Sequence, residues 1–312
     1  MATLETMFGA AAVETFFGLP ACSDLSAVRA DIALIGVPMA TPYLSVGPYC
    51  AAGPDAIRAA TAAYARNFAH VNFDLGGPVL PEGRVAVDAG NLGVSEADFA
   101  ANRKVIREAV GHAVRRGAVP FVIGGDDSVQ IPMLEAHAAE GRTIAILQID
   151  AHIDWRDAVD GERLGLSSTQ RRASEMAHVG AMVAVGARGI GSARPSDRAD
   201  ALARGVTFVT ARDVARAGIG RAVDAIPAGA EVVVCLDLDA LDPAVMPGVI
   251  GRTAGGMSYW QVVELVAGVA VKARIAGFGM VEFMPERDVD GMGALTAAQL
   301  LATCIGIVAR QG

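Results

Sequence analysis

The chain is expected to fold as a three-layer α/β/α domain around a mostly parallel sheet of about eight strands. Short β-branched, apolar runs alternate with amphipathic segments along the sequence, and parallel neighbours require such crossover segments. Several runs are apolar at nearly every position, as strands covered on both faces are. Two of them end in acidic clusters, Asp150-Ala-His152-Ile-Asp154 and Asp237-Leu-Asp239, which places polar chemistry at one edge of the sheet.

In order, strands are expected over residues 31–37, 84–87, 119–123, 143–149, 181–185, 206–209, 231–238 and 274–281. The clearest are Ala145-Ile-Leu-Gln-Ile149 and Glu231-Val-Val-Val-Cys-Leu236, where β-branched residues dominate. Helices are expected over 100–116, 130–140, 170–176, 197–203, 259–273 and 296–309, because apolar residues recur there at three-and-four spacing.

With 312 residues, 53% of them hydrophobic and 19% charged, the chain has material for a large core, and its mean hydropathy is +0.40. No Pro/Ser-rich linker, charge block or low-complexity stretch divides it, so residues 1–312 read as one domain. Apolar stretches such as 181–185 are too short to cross a bilayer. The N-terminus lacks a basic segment followed by an apolar core, so no membrane partner and a cytoplasmic location are expected. Cys22, Cys50, Cys235 and Cys304 are scattered without a CxxC pair and read as reduced thiols. Lys and Arg number 26 against 34 Asp and Glu, and no basic run is interleaved with aromatics. The net charge of −8 therefore argues against nucleic acid and suits a cationic small molecule.

Asp150, His152 and Asp154 alternate, so a regular strand would carry them on one face, and Asp237 and Asp239 repeat the arrangement before the turn signal Asp242-Pro243. Five oxygen or imidazole donors crowded at a sheet edge repel one another unless positive charge lies between them. A pair of divalent metals meets that need, with Asp150 able to bridge them. A third element, Gly124-Gly125-Asp126-Asp127-Ser128, follows a strand and opens a helix; Asp126 and Ser128 read equally well as helix caps.

Read together, Gly124-Gly-Asp-Asp-Ser128, Asp150-Ala-His-Ile-Asp154 and Asp237-Leu-Asp-Ala-Leu-Asp-Pro-Ala-Val-Met-Pro-Gly248 resemble the ureohydrolase family, which includes arginase, agmatinase and guanidinobutyrase. Gly47-Pro48 through Gly53-Pro-Asp-Ala-Ile-Arg58 and Val281-Glu-Phe-Met-Pro285 resemble its early and late motifs, so nearly the whole chain is covered. The resemblance implies an arginase-like fold, a pair of manganese ions per chain with nickel as the alternative, and hydrolytic release of urea from a guanidino group. One ion would be held by Asp127, Asp150, Asp154 and Asp237, the other by Asp150, His152, Asp237 and Asp239. Asp150 and Asp237 would bridge, while Asp154 and Glu282 would be catalytic, with Glu282 pairing to the guanidinium nitrogens. A homo-oligomer, trimer or hexamer, is also implied.

Three departures from the family pattern stand out. Asp127 replaces a histidine, which makes the ligand set harder and favours manganese. Ser167 stands where a histidine often assists proton transfer, and a hydroxyl binds substrate but cannot buffer protons near neutrality. Gly279 and Met284 replace Asp and Asn, from which a less polar substrate-facing wall is expected. Trp155 either stacks on a cationic substrate or packs against the next helix. His70, His112, His137 and His178 read as surface or satisfied core residues, and Arg163, Arg171 and Arg172 as a solvated face or a subunit contact. The substrate reading is a small cationic guanidino compound, agmatine-like. Guanidinobutyrate or another small or alkylated guanidine is an alternative, as is a catalytically weak subunit that supports an active paralogue in a mixed oligomer.

Overall fold

The computed structural model describes residues 4–311. Eight strands form one sheet: β1 (Ile32–Val37), β2 (Ala86–Asn91), β3 (Val119–Gly124), β4 (Ile144–Ile149), β5 (Val179–Val185), β6 (Thr207–Val209), β7 (Glu231–Asp237) and β8 (Arg274–Val281). Their order is β2-β1-β3-β8-β7-β4-β5-β6, and every pairing is parallel. The helices are α1 (Leu4–Met7), α2 (Gly53–Ala60), α3 (Phe99–Arg115), α4 (Gln130–Ala136), α5 (Thr169–Ala173), α6 (Pro195–Ala203), α7 (Ala211–Ala217), α8 (Gly220–Ala225), α9 (Tyr259–Lys272) and α10 (Met292–Ala309).

Period-two alternation along the strands feeds two cores, one on each face of the sheet. Ala145, Leu147 and Ile149 of β4 join Val232, Val234 and Leu236 of β7 and the α9 and α10 residues Leu265, Val269, Leu301 and Ile305. The intervening Ile144, Ile146, Val233 and Cys235 pack with Ile106 and Val110 of α3 and Met133 and Leu134 of α4. Because the central strands are wholly buried, each apolar side chain removed from water contributes about 1.5–3 kcal/mol before the ordering cost.

Some elements differ from expectation for identifiable reasons. β2 runs on through polar Asp88 to Asn91 because the buried Asp88 carboxylate is paired, accepting from Arg58 Nε at 3.0 Å and the Phe16 amide at 2.7 Å. The expected helix over 130–140 tightens into a 3₁₀ turn at His137, and that over 170–176 shortens to α5. α1, α2, α7 and α8 are additional short helices. A capping box between Thr210 and Asp213 opens α7, a local signal in the side chains that outweighs its weak apolar pattern. α10 is long and apolar enough by composition to cross a membrane, contrary to the expectation that no stretch is. It is instead a core helix, with 67% of its span buried in the protein.

The four central strands β3, β8, β7 and β4 are neighbours, and each sends a functional segment from its C-terminal end. Ile149 pairs with Leu236, and Asp237 with Val281. The sheet thus brings residues far apart in sequence to one crevice at the carboxyl edge, where open α/β sheets bind ligands.

Candidate metal centre and substrate cavity

Tight turns follow the strands. A Cβ at Gly125 would stand 2.1 Å from the Pro38 carbonyl oxygen, so only glycine lets the end of β3 pass so close to the neighbouring chain. Asp126 then acts as the expected cap, its Oδ1 accepting from the Ser128 amide at 3.0 Å and from the Ser128 hydroxyl. That leaves Asp127 pointing into the crevice, 2% exposed. After β4, the His152 amide donates to Asp150 Oδ1 at 2.6 Å, and Asp154 takes a left-handed φ of 42°. The Asp154 carbonyl accepts from the amides of Gln170 and Arg171, tying the strained turn to α5. After β7, the Asp239 amide donates to Asp237 Oδ1 at 2.7 Å, and Asp239 Oδ1 accepts from the Ala151 amide at 3.1 Å. The side chains of Asp150, Asp237 and Asp239 are therefore oriented by backbone of their own or the adjoining turn.

The result is two overlapping clusters. Asp127, Asp150 and Asp154 offer ligand atoms within 4.8 Å of one another, and so do Asp150, His152 and Asp239. Asp150 belongs to both. Asp237 falls in neither group but lines the same cavity of about 240 Å³, together with Asp127, His152, Asp154, Asp239 and Glu282. Burial pushes Asp127, Asp154, Asp237 and Glu282 well above the usual carboxylate range, and the neighbouring carboxylates add to the shift. Burial works against the His152 cation, but hydrogen bonds to Asp150 and Asp239 outweigh it and hold the imidazole up to about 11. Asp150 is held below its usual value, because its hydrogen bonds with His152 and Asp154 overcome burial.

The buried carboxylates outnumber the cations beside them, His152 and Arg188, and Asp127 Oδ2 has no hydrogen-bond partner. Oxygen and imidazole donors without thiolate make a set suited to hard or borderline divalent ions, and the residues present fit a pair of them.

Glu282 stands at the end of β8, 4% exposed, with a left-handed φ of 70° that is uncommon for glutamate and marks a constrained position. Its amide donates to the Gly125 carbonyl at 2.8 Å. The Tyr49 hydroxyl lies 2.7 Å from both carboxylate oxygens, and the Asp127 amide donates to Oε1 at 2.9 Å. Ser167 lines the cavity, its amide donating to the Tyr43 hydroxyl at 3.2 Å. Arg156 and Asp197 also line the cavity, with Nη1 and Oδ2 3.6 Å apart.

Other residues fall differently. Trp155 borders the cavity, but its indole is 2% exposed, belongs to the second core and donates from Nε1 to Asp200 at 2.8 Å. Of the two readings for it, packing is what the ring does. Gly279 and Met284 do not line the substrate cavity, which corrects the expectation of a less polar wall: Gly279 lies inside β8 beneath Gln130 and Met133, and Met284 follows the turn after Glu282. Arg163, Arg171 and Arg172 pair within the chain with Asp157, Glu175 and Asp200. His137 is a buried core residue, pulled down to about 4 by burial, and His178 Nε2 lies 2.9 Å from the Leu134 carbonyl.

Three supporting residues escaped sequence reasoning. Gln148 donates to Asp150 Oδ2 at 2.8 Å, and a lone amide in an otherwise apolar buried strand, two residues before a ligand, is a readable signal for it. Gln130 donates to Asp127 Oδ1 from the start of an apolar helix. Tyr49 lies in a loop with no local pattern to single it out.

Known proteins share both the sequence and this architecture. An N(1)-aminopropylagmatine ureohydrolase of Thermococcus kodakarensis is 29% identical over 288 residues, 91% of this chain and 93% of that protein. A mitochondrial arginase 1 of Arabidopsis thaliana is 31% identical over 294 residues, 89% of this chain and 81% of the relative. The solved structure of proclavaminate amidino hydrolase from Streptomyces clavuligerus superposes with a TM-score of 0.79 at 26% identity, covering 97% of this chain and 99% of that one. Since the Arginase family profile also matches residues 30–306, the chain belongs to the arginase family of ureohydrolases.

Proposed function

We propose that the protein is an amidinohydrolase that releases urea and an amine from a small, cationic, agmatine-like guanidino compound. The observation that carries this reading is Glu282, a buried carboxylate clamped by Tyr49 and the Asp127 amide in the same cavity as the two acidic clusters. Asp127, Asp150, Asp154 and Asp237 would hold one manganese ion and Asp150, His152, Asp237 and Asp239 the other, with nickel as the alternative metal. Such a pair, when bound, lowers the pKa of a water so that hydroxide is available near neutral pH.

The chain's own residues do the positioning. Glu282 accepts from the guanidinium N–H groups and holds the planar group with its carbon facing the clusters, a charge-assisted contact in a water-poor site. Tyr49 and the Asp127 amide fix the carboxylate before substrate arrives, so little reorganisation is needed. Asp154 holds the proton lost by the water and returns it to the departing amine, a task the Ser167 hydroxyl cannot perform near neutrality. Ser167 instead offers a hydrogen bond to the substrate. Asp197 in the cavity lining gives a terminal ammonium a carboxylate, and its separation from Arg156 is longer than a direct hydrogen bond.

A panel of guanidino compounds incubated with protein loaded with manganese, or separately with nickel, tests the proposal by urea release. Agmatine and its close analogues are expected to lead. Release of urea only from guanidino acids would overturn the assigned tail, and no release from any compound would overturn the activity.

A further inference from the structure

Gln130 occupies an unusual place for an amide. It opens α4, is 1% exposed and directs Nε2 to Asp127 Oδ1. Its own Oε1 is buried without a hydrogen-bond partner. Beneath it lies Gly279 of β8, where a Cβ would stand 2.8 Å from Gln130 Oε1 and 3.1 Å from the Met133 methyl. Real Cβ atoms essentially never come within 3.0 Å of another heavy atom, so a side chain at 279 would shift the Gln130 amide. Meanwhile Asp127 Oδ2 is buried and unpartnered, and Asp127 forms a cluster with Asp150 and Asp154.

A carboxylate can swing about its terminal torsion and present either oxygen or both to an ion. Donation from Gln130 to one oxygen removes that freedom and leaves the other facing the cluster. The amide is neutral, so it fixes Asp127 without cancelling the charge that attracts a cation, as Lys or Arg in its place would. Leaving Oε1 unpaired in the interior costs free energy, and that cost marks a position kept for what Nε2 does.

We propose that Gln130 is a positioning residue that makes Asp127 a one-oxygen metal ligand through Oδ2, and that Gly279 is the glycine that makes room for it. Asp127, Gln130 and Gly279 then act as one unit, and the departures at 127 and 279 are two halves of a rebuilt ligand support. The proposal rests on the metal-centre reading above.

Manganese titration of the metal-free full chain, by calorimetry and by the paramagnetic resonance signal of coupled ions, tests it. The parent is expected to bind an ion pair. Gln130→Met keeps length and packing but removes the donor. One ion should then bind about 10–100-fold more weakly, while the affinity of the other stays at the parent value. Gly279→Ala, which leaves the amide chemically intact, should weaken the same ion. The double variant should be no worse than the more affected single one, because both changes break one contact. Parent-like affinity for both ions in Gln130→Met, equal weakening of both, or additive losses in the double variant would each overturn the proposal. A parent that binds no ion pair would bring down the metal-centre reading, and this inference with it.

Discussion

The backbone amide of Asp127 donates to Glu282 Oε1 at 2.9 Å, so one residue of the β3 turn serves the acidic cluster with its side chain and the β8 carboxylate with its main chain. Under the proposed function, substrate orientation and metal ligation would thereby share one frame. The carboxylate meant to face the guanidinium cannot move without disturbing the turn that aims Asp127.

Glu282→Gln retains the size of the side chain but removes its charge. Turnover of the best guanidino substrate is expected to fall by about two or more orders of magnitude while metal content is unchanged, because the lost ion pair aligns the reacting carbon. Steady-state kinetics with metal analysis of the same sample decides it. Activity within about twofold of the parent would indicate a contact worth well under about 1.4 kcal/mol and make Glu282 a structural residue. Tyr49→Phe should give a milder loss, since the Asp127 amide still holds Oε1.

Asp150 is the one residue common to both clusters. Asp150→Ala should therefore abolish binding of both ions, whereas His152→Ala should spare the ion held by Asp127 and Asp154. Inductively coupled plasma analysis after gel filtration reads this directly. Retention of a tightly bound ion in Asp150→Ala would remove its bridging role. Asp237→Ala is expected to behave like Asp150→Ala, and retention of a tightly bound ion there would remove the bridging role of Asp237 as well.

The indole of Trp155 is buried and bonded to Asp200, so it is expected to matter for stability more than for substrate. Trp155→Phe should lower the melting temperature with kcat/KM within about threefold of the parent. Trp155→Ala would empty a core site at a cost of about 3–5 kcal/mol. A large rise in KM for Trp155→Phe without a change in melting temperature would restore the stacking role.

Much of this architecture was legible because its causes are local. All eight strands announce themselves as apolar runs, and β8 matches its expected range of 274–281 at both ends. The acidic residues were equally visible as motifs, but they lie in turns beyond β4 and beyond Asp237 of β7, so backbone turns rather than the period-two alternation of a continued strand bring them together. What escaped depends on contacts between distant segments. Tyr49 meets Glu282 across 233 positions of sequence, and β2 extends through Asp88 only because Arg58 neutralises it. Gly279 shows the same limit. Its motif position suggested the substrate wall, whereas the sheet turns it toward Gln130, away from the cavity.

The last expectation concerns pH. Asp127, Asp154, Asp237 and Glu282 have folded pKa values raised by burial and by one another, so they hold protons more tightly folded than unfolded. In the metal-free protein their contribution is fully present below the ordinary carboxylate value of about 4 and is lost as pH rises through the raised folded values. His152 acts in the same direction, its contribution being present below its ordinary value of about 6.5 and lost as pH rises through about 11. Asp150 and His137 oppose them: Asp150 contributes above its ordinary value and loses that as pH falls through its lowered one, and His137 contributes above about 6.5 and loses that as pH falls through about 4, but the raised groups outnumber these two. The metal-free melting temperature should thus decline from about pH 5 to about pH 8.5, and the increment on adding manganese should grow over that range as cations displace protons. Differential scanning calorimetry with and without manganese at several pH values measures both. A metal-free melting temperature that climbs with pH, together with a flat manganese increment, would show that these carboxylates are not the protonated, metal-competing groups the geometry implies.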